Sequence, residues 1–231
     1  MKRYISILFL LFAAILFAKE AAVVPVDHEP VHHKVLDNES VCVFDVVVPP
    51  HAATLMHRHD RDYIFVTLGD SDISNERMGE KPVHLTLKDG EARYTRGGFE
   101  HIARNLAETP FHNLTIELKK PGSPLCGIDP AAACENADQA AIVRELFATE
   151  HLIVRLTTLE PGEQTPEHTH AYPHLAVAVD DLTFENHEAG KPPALVSMKK
   201  GQFVWVANIG ITHFFKNVGK ARARMLALEF K

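Results

Sequence analysis

The second half of this chain repeats the first half in register. At an offset of 111 positions, His57 corresponds to His168 and His59 to His170. The same offset aligns Tyr63 with His174, Asp70 with Asp181, Asn75 with Asn186, Gly79 with Gly190, Pro82 with Pro193 and Gly90 with Gly201. After one inserted residue, an offset of 112 aligns Gly98 with Gly210, His101 with His213 and Asn105 with Asn217. Chance similarity does not hold register over such a span, so we interpret the chain as a tandem duplication.

Each copy consists of short β-rich runs. In the first copy these runs are VCVFDVVV, YIFVTL, VHLTLK and NLTIEL, and their counterparts in the second copy are LIVRLTTL, HLAVAV, ALVSMK and RMLALEF. Gly, Pro, Asn and Asp separate the runs, which is typical of a β-sandwich or barrel. We therefore predict an all-β fold with one barrel over residues 30–120 and another over residues 141–231. The stretch KKPGSPLCG marks a linker over residues 121–140, and residues 137–146 read as helical.

The first 22 residues have the pattern of a secretory signal peptide. Lys2 and Arg3 precede an apolar run over residues 5–18, which is too short for a comfortable membrane span. We expect a periplasmic or secreted protein whose mature chain begins between residues 19 and 23, the alternative being an uncleaved anchor. An oxidising compartment would allow a short disulfide between Cys126 and Cys134, while Cys42 reads as a small buried side chain in a strand.

Composition limits the partners of the chain. Its 231 residues carry a net charge of -6, and 46% of them are hydrophobic, so the chain can bury a substantial core. The mild acidity and the lack of a Lys/Arg-rich cluster argue against nucleic acid or anionic lipid as a partner. We expect a small-molecule substrate or ligand, and no stable membrane span once the signal is removed.

The paired histidines have the spacing of metal ligands. Alternate residues of a strand face the same side, so His57 and His59 can point together, as can their counterparts in the second copy. A third histidine follows each pair: His101 lies 42 residues after His59, and His213 lies 43 residues after His170. Closure of each barrel would bring the third imidazole over the pair. By contrast, His28, His32 and His33 read as an exposed segment that offers no rigid chelate.

Four segments of the chain resemble the motifs of the cupin superfamily. Residues 90–105 resemble the second cupin motif, with Arg96 in place of proline, and residues 201–217 resemble it with one extra residue. Residues 162–174 resemble the first motif with His174 replacing its glutamate. Residues 51–63 match that motif less closely, because they lack the leading glycine and carry Tyr63 at the glutamate position. The chain thus resembles a bicupin, which implies two tandem double-stranded β-helix, or jelly-roll, barrels.

This resemblance implies a divalent transition metal in one or both barrels: iron, manganese, zinc, copper or nickel. The implied ligands are His57, His59 and His101 in the first copy, and His168, His170, His174 and His213 in the second. Tyr63 would act in catalysis by a hydrogen bond to a metal-bound water, the less favoured alternative being that it ligates the metal. Because neither site retains the glutamate, each should attract an anion. Neutral imidazoles are needed for binding, so occupancy should fall below about pH 6.5.

Three functions fit these features. The first is an exported metal-dependent dioxygenase that acts on a small organic molecule, with chemistry in the first copy and a structural or binding role in the second. The second is a non-catalytic protein that binds a metal or a small ligand. The third, a cupin-type isomerase, is less favoured because no clear His/Glu acid–base pair is present. Cupin barrels often pair through edge strands, so a homodimer is also expected.

Overall fold

The structure, a computed structural model, describes residues 22–122, 124–126 and 142–231. The predicted signal segment, Cys134 and most of the predicted linker lie outside these ranges. Export and the Cys126–Cys134 disulfide therefore stay predictions. Within the described ranges, no helix has the length and apolar character that a membrane crossing requires.

The N-terminal half is built from two facing sheets. Its strands are β1 (Val24–Pro25), β2 (His32–Asp37), β3 (Val41–Val48), β4 (His57–His59), β5 (Tyr63–Thr67), β6 (Ser71–Arg77), β7 (Val83–Leu87), β8 (Ala92–Thr95), β9 (Phe99–Asn105) and β10 (Phe111–Leu118), with a 3₁₀ turn at Val26–His28. One sheet has the order β1-β4-β9-β6-β7, and the other has the order β2-β3-β10-β5-β8.

The C-terminal half has the same arrangement. Its strands are β11 (Pro124–Cys126), β12 (Val143–Thr149), β13 (Leu152–Leu159), β14 (His168–Thr169), β15 (His174–Ala178), β16 (Leu182–Glu188), β17 (Ala194–Met198), β18 (Phe203–Val206), β19 (Thr212–Asn217) and β20 (Ala223–Phe230). The sheet orders are β11-β12-β13-β20-β15-β18 and β14-β19-β16-β17. Strands β2 to β10 thus correspond to β12 to β20, which confirms the predicted fold class of two tandem β barrels.

The helix predicted over residues 137–146 is wrong where the structure describes it. Val143–Thr149 forms β12, which pairs antiparallel with β13 through a bulge between Glu145 and Phe147. Phe147 is only 2% exposed and belongs to the apolar cluster between the two halves. Burial of this side chain and the hydrogen-bonded ladder outweigh the local helical preference, which is a weak term.

Successive side chains of the central strands point alternately towards the apolar core and towards the barrel interior that holds the site. On β10, Leu114 and Ile116 face the other half of the molecule, whereas Thr115 and Glu117 face the interior of their own barrel. The large apolar cluster is shared by both halves, and each barrel also holds a smaller cluster of its own. Polar side chains are thereby delivered to the barrel interior, where the histidines lie.

The two halves meet through equivalent surfaces. A Cβ added to Gly90 would lie 2.5 Å from Val179 Cγ1, and one added to Gly201 would lie 2.9 Å from Leu68 Cδ1. Gly90 corresponds to Gly201, and Leu68 to Val179, at the offset of 111. Each half therefore places an aliphatic side chain from the same position of the repeat against the equivalent glycine of the other half. Arg224 adds an ion pair across this contact, with its Nη2 2.8 Å from Asp89 Oδ2.

Candidate metal centres

The three predicted histidines of the first copy come together inside the N-terminal barrel. Strand β4 pairs with β9 so that His57 lies opposite His101. The ring centroid of His101 is 4.4 Å from that of His57 and 5.4 Å from that of His59. All three side chains are buried. Barrel closure therefore produces the juxtaposition that the repeat predicts.

Each of these histidines is held through its Nδ1 atom. His57 Nδ1 lies 2.9 Å from the carbonyl oxygen of Leu55, and His101 Nδ1 lies 2.7 Å from Asn75 Oδ1. His59 Nδ1 lies 3.3 Å from Glu117 Oε1. A carbonyl or carboxylate oxygen only accepts hydrogen bonds at these positions, so the acceptors assign the proton to Nδ1 and leave the Nε2 lone pair free.

The second copy repeats this framework for His168 and His213, whereas His170 Nδ1 forms no hydrogen bond among the described residues. His168 lies opposite His213, and the Nδ1 atoms of these two residues lie 2.9 Å from the carbonyl oxygen of Pro166 and 2.8 Å from Asn186 Oδ1, respectively. His170 Nδ1 is 3.4 Å from Glu229 Oε1. One ligand atom from each of His168, His170 and His213 lies within 4.8 Å of the others.

His32 adds an imidazole that sequence reasoning assigned to an exposed segment. That interpretation holds for His33, which is exposed, but it is wrong for His32, which is 8% exposed. His32 begins β2, and its Nδ1 lies 2.7 Å from Glu29 Oε2. One ligand atom from each of His32, His57 and His59 lies within 4.8 Å of the others. The irregular sequence before β2 concealed a buried turn in which Glu29 orients the ring.

Equivalent aromatic rings stack beside the two sites. The ring of Tyr63 stacks on His59 at a centroid distance of 4.3 Å, and that of His174 stacks on His170 at 4.0 Å. Burial raises the pKa of the Tyr63 phenol, which therefore stays protonated. Nδ1 of His174 is buried without a hydrogen-bond partner in the described part of the chain. The predicted roles of Tyr63 in catalysis and of His174 as a ligand stay predictions.

Burial lowers the pKa of several of these imidazoles and so favours their neutral form. It lowers the pKa of His57 to about 3 and that of His101 to about 2, and the neighbouring histidines contribute to both shifts. In the second copy burial lowers the pKa values of His174 and His213 to about 4. A metal ligand must be unprotonated, so both sites are ready to bind at neutral pH.

The donor sets fit a divalent transition-metal ion in each half, as predicted. The Nε2 atoms of His57, His101 and His213 are buried and have no hydrogen-bond partner among the described residues. A buried polar atom without a partner is costly, and a bound cation would satisfy it. Imidazole nitrogen is a common ligand of zinc, copper, iron and nickel.

The cavities around the two sites differ in size and chemistry. The N-terminal cavity has a volume of about 460 Å³, and three arginines line it: Arg77, Arg93 and Arg96. The C-terminal cavity is larger, at about 610 Å³, and its walls include many apolar side chains: Val143, Ile153, Val196, Met198, Val204, Val206, Ile211, Phe215 and Met225. Arg155 also lines this cavity, but its Nη1 lies 2.7 Å from Glu229 Oε1.

Sequence reasoning missed the residues that hold the histidines. Asn75 and Asn186 were visible as a repeated pair, but nothing in the sequence linked them to the ligands. Glu117 and Glu229 carry a clearer signal, because each is a single acidic residue in an apolar strand and they match at the offset of 112. A charged residue that alternation turns into a barrel needs partners, and here each glutamate has a histidine and an arginine beside it.

Comparisons with known proteins identify the fold. Neither a family model nor a curated protein sequence matches the chain. Among solved structures, it is similar to a cupin 2 conserved barrel domain protein from Leptotrichia buccalis (14% identity, 86% of this chain and 87% of that one, TM-score 0.54). It is also similar to an oxalate decarboxylase with Mn(II) centres from Bacillus subtilis (12% identity, 83% and 69%, TM-score 0.57). A third match is salicylate 1,2-dioxygenase from Pseudoaminobacter salicylatoxidans, solved in complex with gentisate (10% identity, 87% and 74%, TM-score 0.58). The chain therefore has the fold of these cupin structures, with two tandem barrels.

Proposed function

We propose that this protein is an exported, metal-dependent dioxygenase that acts on a small organic anion in its N-terminal barrel. The observation that carries the proposal is the presence of cationic side chains beside the histidines. Arg93 donates to Glu91, but Arg77 and Arg96 form no ion pair with a carboxylate among the described residues. The guanidinium of Arg77 instead lies 3.9 Å from the centroid of the Phe99 ring.

The charge balance of this cavity favours an anion. A histidine binds a metal as a neutral imidazole, so these ligands would not offset the charge of a divalent ion. The two buried carboxylates that hold His32 and His59 would offset part of it. One of these carboxylates, Glu117, also lies 3.4 Å from Arg61. The unpaired arginines add further positive charge, and a cavity lined by one sign of charge concentrates ligands of the opposite sign.

Two of the similar structures support the substrate class. Their names refer to oxalate and salicylate, which are small organic carboxylates. In this chain, Arg77 and Arg96 would bind a carboxylate group, and the protonated hydroxyl of Tyr63 would donate a hydrogen bond that orients the substrate. A divalent ion held by the histidines would polarise a coordinated oxygen atom of the substrate.

Oxygen consumption tests the reaction. The mature protein is loaded anaerobically with iron, manganese, copper, nickel or zinc and then screened with small carboxylic acids, hydroxybenzoates, catechols, diketones and thiols. Uptake of oxygen that depends on the metal and on an anionic substrate is expected. The proposal fails if no combination of metal and substrate consumes oxygen.

The difference between the cavities supports a division of labour. We expect that His57→Ala combined with His59→Ala abolishes turnover, because the arginine-lined cavity loses its metal. The matched pair, His168→Ala with His170→Ala, should mainly lower metal content or stability. Loss of turnover in the second pair alone would assign the chemistry to the C-terminal half.

A second candidate function belongs to the C-terminal barrel. Its larger and more apolar cavity favours capture of an apolar small molecule beside the metal, without turnover. Isothermal titration of the His57→Ala/His59→Ala protein with apolar aromatic compounds tests this function. Binding that disappears when Met198 or Val206 is replaced by aspartate is expected.

Export is proposed on the sequence pattern of the first 22 residues. N-terminal sequencing of the protein recovered from the periplasm or medium of a bacterial host tests it. We expect a mature chain that begins between residues 19 and 23, whereas an intact Met1 on protein retained in the cytoplasm would contradict export.

A further inference from the structure

We propose that His32 is a fourth protein ligand of the metal in the N-terminal barrel and that Glu29 positions it. The inference rests on the metal dependence proposed above and extends it to a residue outside the repeated histidine pattern. It assigns a binding role to the first residue of β2 and to the turn that precedes this strand.

The His32 ring lies beside the imidazoles of the predicted ligand pair. Its centroid lies 4.7 Å from that of His57 and 5.8 Å from that of His59. These distances are comparable with those between His101 and the same two rings. A ligand atom of His32 therefore lies where an ion shared by His57 and His59 would be within reach.

The carboxylate of Glu29 holds the His32 ring in place. Glu29 is 3% exposed, and its two oxygen atoms hold three groups. Oε2 lies 2.7 Å from His32 Nδ1 and also accepts the backbone N–H of Val31 at 2.9 Å, while Oε1 accepts the backbone N–H of Leu55 at 3.0 Å. The carbonyl oxygen of Leu55 in turn holds His57. Carboxylates that accept the remote N–H of a histidine are characteristic partners of metal ligands.

All four histidines of the N-terminal barrel share one pattern of hydrogen bonding. His32, His57, His59 and His101 each direct Nδ1 to an oxygen acceptor of the protein. Each acceptor places the hydrogen on Nδ1 and leaves Nε2 for a cation. A histidine buried only for packing would need no such common orientation.

The two copies carry their additional imidazole at different positions of the repeat. Strand register pairs His32 with Val46 in the first half and Val143 with Thr157 in the second, so Val143 occupies the position of His32. Conversely, Tyr63 occupies the position of His174. The first copy thus takes its fourth imidazole from β2, whereas the second copy carries one at the start of β15.

A fourth ligand from β2 would change the side from which substrate can reach the metal. In the first copy, the β5 position beside the ligand pair holds a phenol, and the β2 position is closed by an imidazole. In the second copy, the β12 position holds the apolar side chain of Val143, which lines the larger cavity. The two ions would therefore expose different faces, which agrees with the different linings of the two cavities.

The test counts ligands in a protein with a single active site. In a His168→Ala/His170→Ala background, the N-terminal site is loaded with Cu²⁺, and pulsed EPR counts the coordinated imidazoles. Competition with a chelator measures the affinity for Zn²⁺. Variants His32→Ala, His32→Gln and Glu29→Gln are compared with His33→Ala, a matched control at the exposed neighbour on the same strand.

We expect four imidazoles in the background protein and three in both His32 variants. The affinity for Zn²⁺ should fall by about 100-fold or more in the His32 variants and by roughly 10–100-fold in Glu29→Gln, the range for loss of a group that holds a ligand. The His33→Ala variant should match the background in both measurements. If His32→Ala does not fold, the metal-induced rise in Tm of His32→Gln, measured against its own metal-free form, supplies the same comparison.

The outcomes separate this inference from the proposed function. An unchanged imidazole count and affinity in the His32 variants overturns the inference and leaves metal-dependent turnover intact. Four imidazoles in a protein that consumes no oxygen with any substrate supports the inference and contradicts the dioxygenase. An N-terminal site that binds neither Cu²⁺ nor Zn²⁺ overturns both.

Discussion

Asn75 and Asn186 decide which nitrogen of the third histidine faces each cavity. Each amide oxygen accepts from the histidine Nδ1, so the amide also fixes the ring angle. We predict that Asn75→Leu lowers the metal affinity of the N-terminal site by roughly 10–100-fold, because the histidine loses its partner. Asn186→Leu is the matched control and should affect the C-terminal site alone. Chelator competition on the two single-site proteins measures both effects, and equal affinities with and without Asn75 would contradict the prediction.

The buried histidines also predict how stability depends on pH in the metal-free protein. Their folded-state pKa values, such as about 3 for His57 and about 4 for His213, lie below the ordinary value of about 6.5 in the unfolded chain. Between these limits the unfolded chain binds more protons, so the free energy of unfolding is highest above pH 6.5 and falls as the pH drops towards 4. Each such histidine contributes a slope of about 1.4 kcal/mol per pH unit in that range.

Urea unfolding in the presence of a chelator at pH 7.5, 6, 5 and 4.5 measures this slope. The variant His57→Gln should show a shallower slope, whereas His33→Gln, which changes an exposed side chain, should match the wild type. Identical slopes in all three proteins would contradict the prediction. The same shifts move the expected loss of metal to lower pH than the value of about 6.5 inferred from unperturbed histidines.

At the scale of elements, a buried asparagine joins the strands of each barrel. Asn105 ends β9, and its Nδ2 donates to the carbonyl oxygens of Val48, Pro49 and Thr109, at 3.1, 3.2 and 2.8 Å. Asn217 holds the carbonyl oxygens of Leu159 and Ala221 in the same way, both at 2.9 Å. These contacts hold the end of β9 to the end of β3, and the end of β19 to the end of β13.

We predict that Asn105→Ala lowers the free energy of unfolding by about 1–3 kcal/mol, because buried carbonyl groups lose their donor. Asn217→Ala should give a similar loss, since its side chain is equally buried. Equilibrium urea unfolding of the metal-free protein measures both values. Glu108→Ala, at an exposed side chain, serves as the control, and a loss as small as that of the control would contradict the prediction.

Strands and site residues could be predicted from sequence where both copies carry them. They were harder to predict where only one copy does. The offset located the strands and six of the histidines at the two sites, because two copies report on the same fold. β12 was mistaken for a helix in part because Phe147 and its ladder are tertiary features. The role of His32 has no counterpart in the second copy, so the repeat concealed it, and only the folded turn at Glu29 brings it to the site.

At the scale of the whole molecule, two glycines set the distance between the barrels. Gly90 and Gly201 have φ values of +77° and +82°, and a Cβ at either position would meet a side chain of the opposite half. Gly79 and Gly190 have similar φ values of +76° and +77°, but a Cβ added to either would have no neighbour within 4 Å. Substitution at these two positions therefore measures the cost of the backbone angle alone. This matched set separates strain within a turn from a clash between the halves.

We predict that Gly90→Ala destabilises the protein by about 1–3 kcal/mol more than Gly79→Ala, because overpacking adds to the unfavourable backbone angle. Gly201→Ala should exceed Gly190→Ala in the same manner, but by less, since Leu68 approaches at 2.9 Å and Val179 at 2.5 Å. Denaturant titrations of the four variants provide the comparison. An equal loss of stability in all four variants would contradict the prediction, because the contact between the halves would then add no cost of its own.

Strand β1 has a practical consequence for measuring metal content. It runs parallel to β4 with Val24 paired to His57, so β1 lies about 5 Å from a ligand strand. A polyhistidine purification tag fused ahead of this strand would carry extra imidazoles to the neighbourhood of the N-terminal cavity. Ion counts per chain are therefore best taken on protein from which such a tag has been removed.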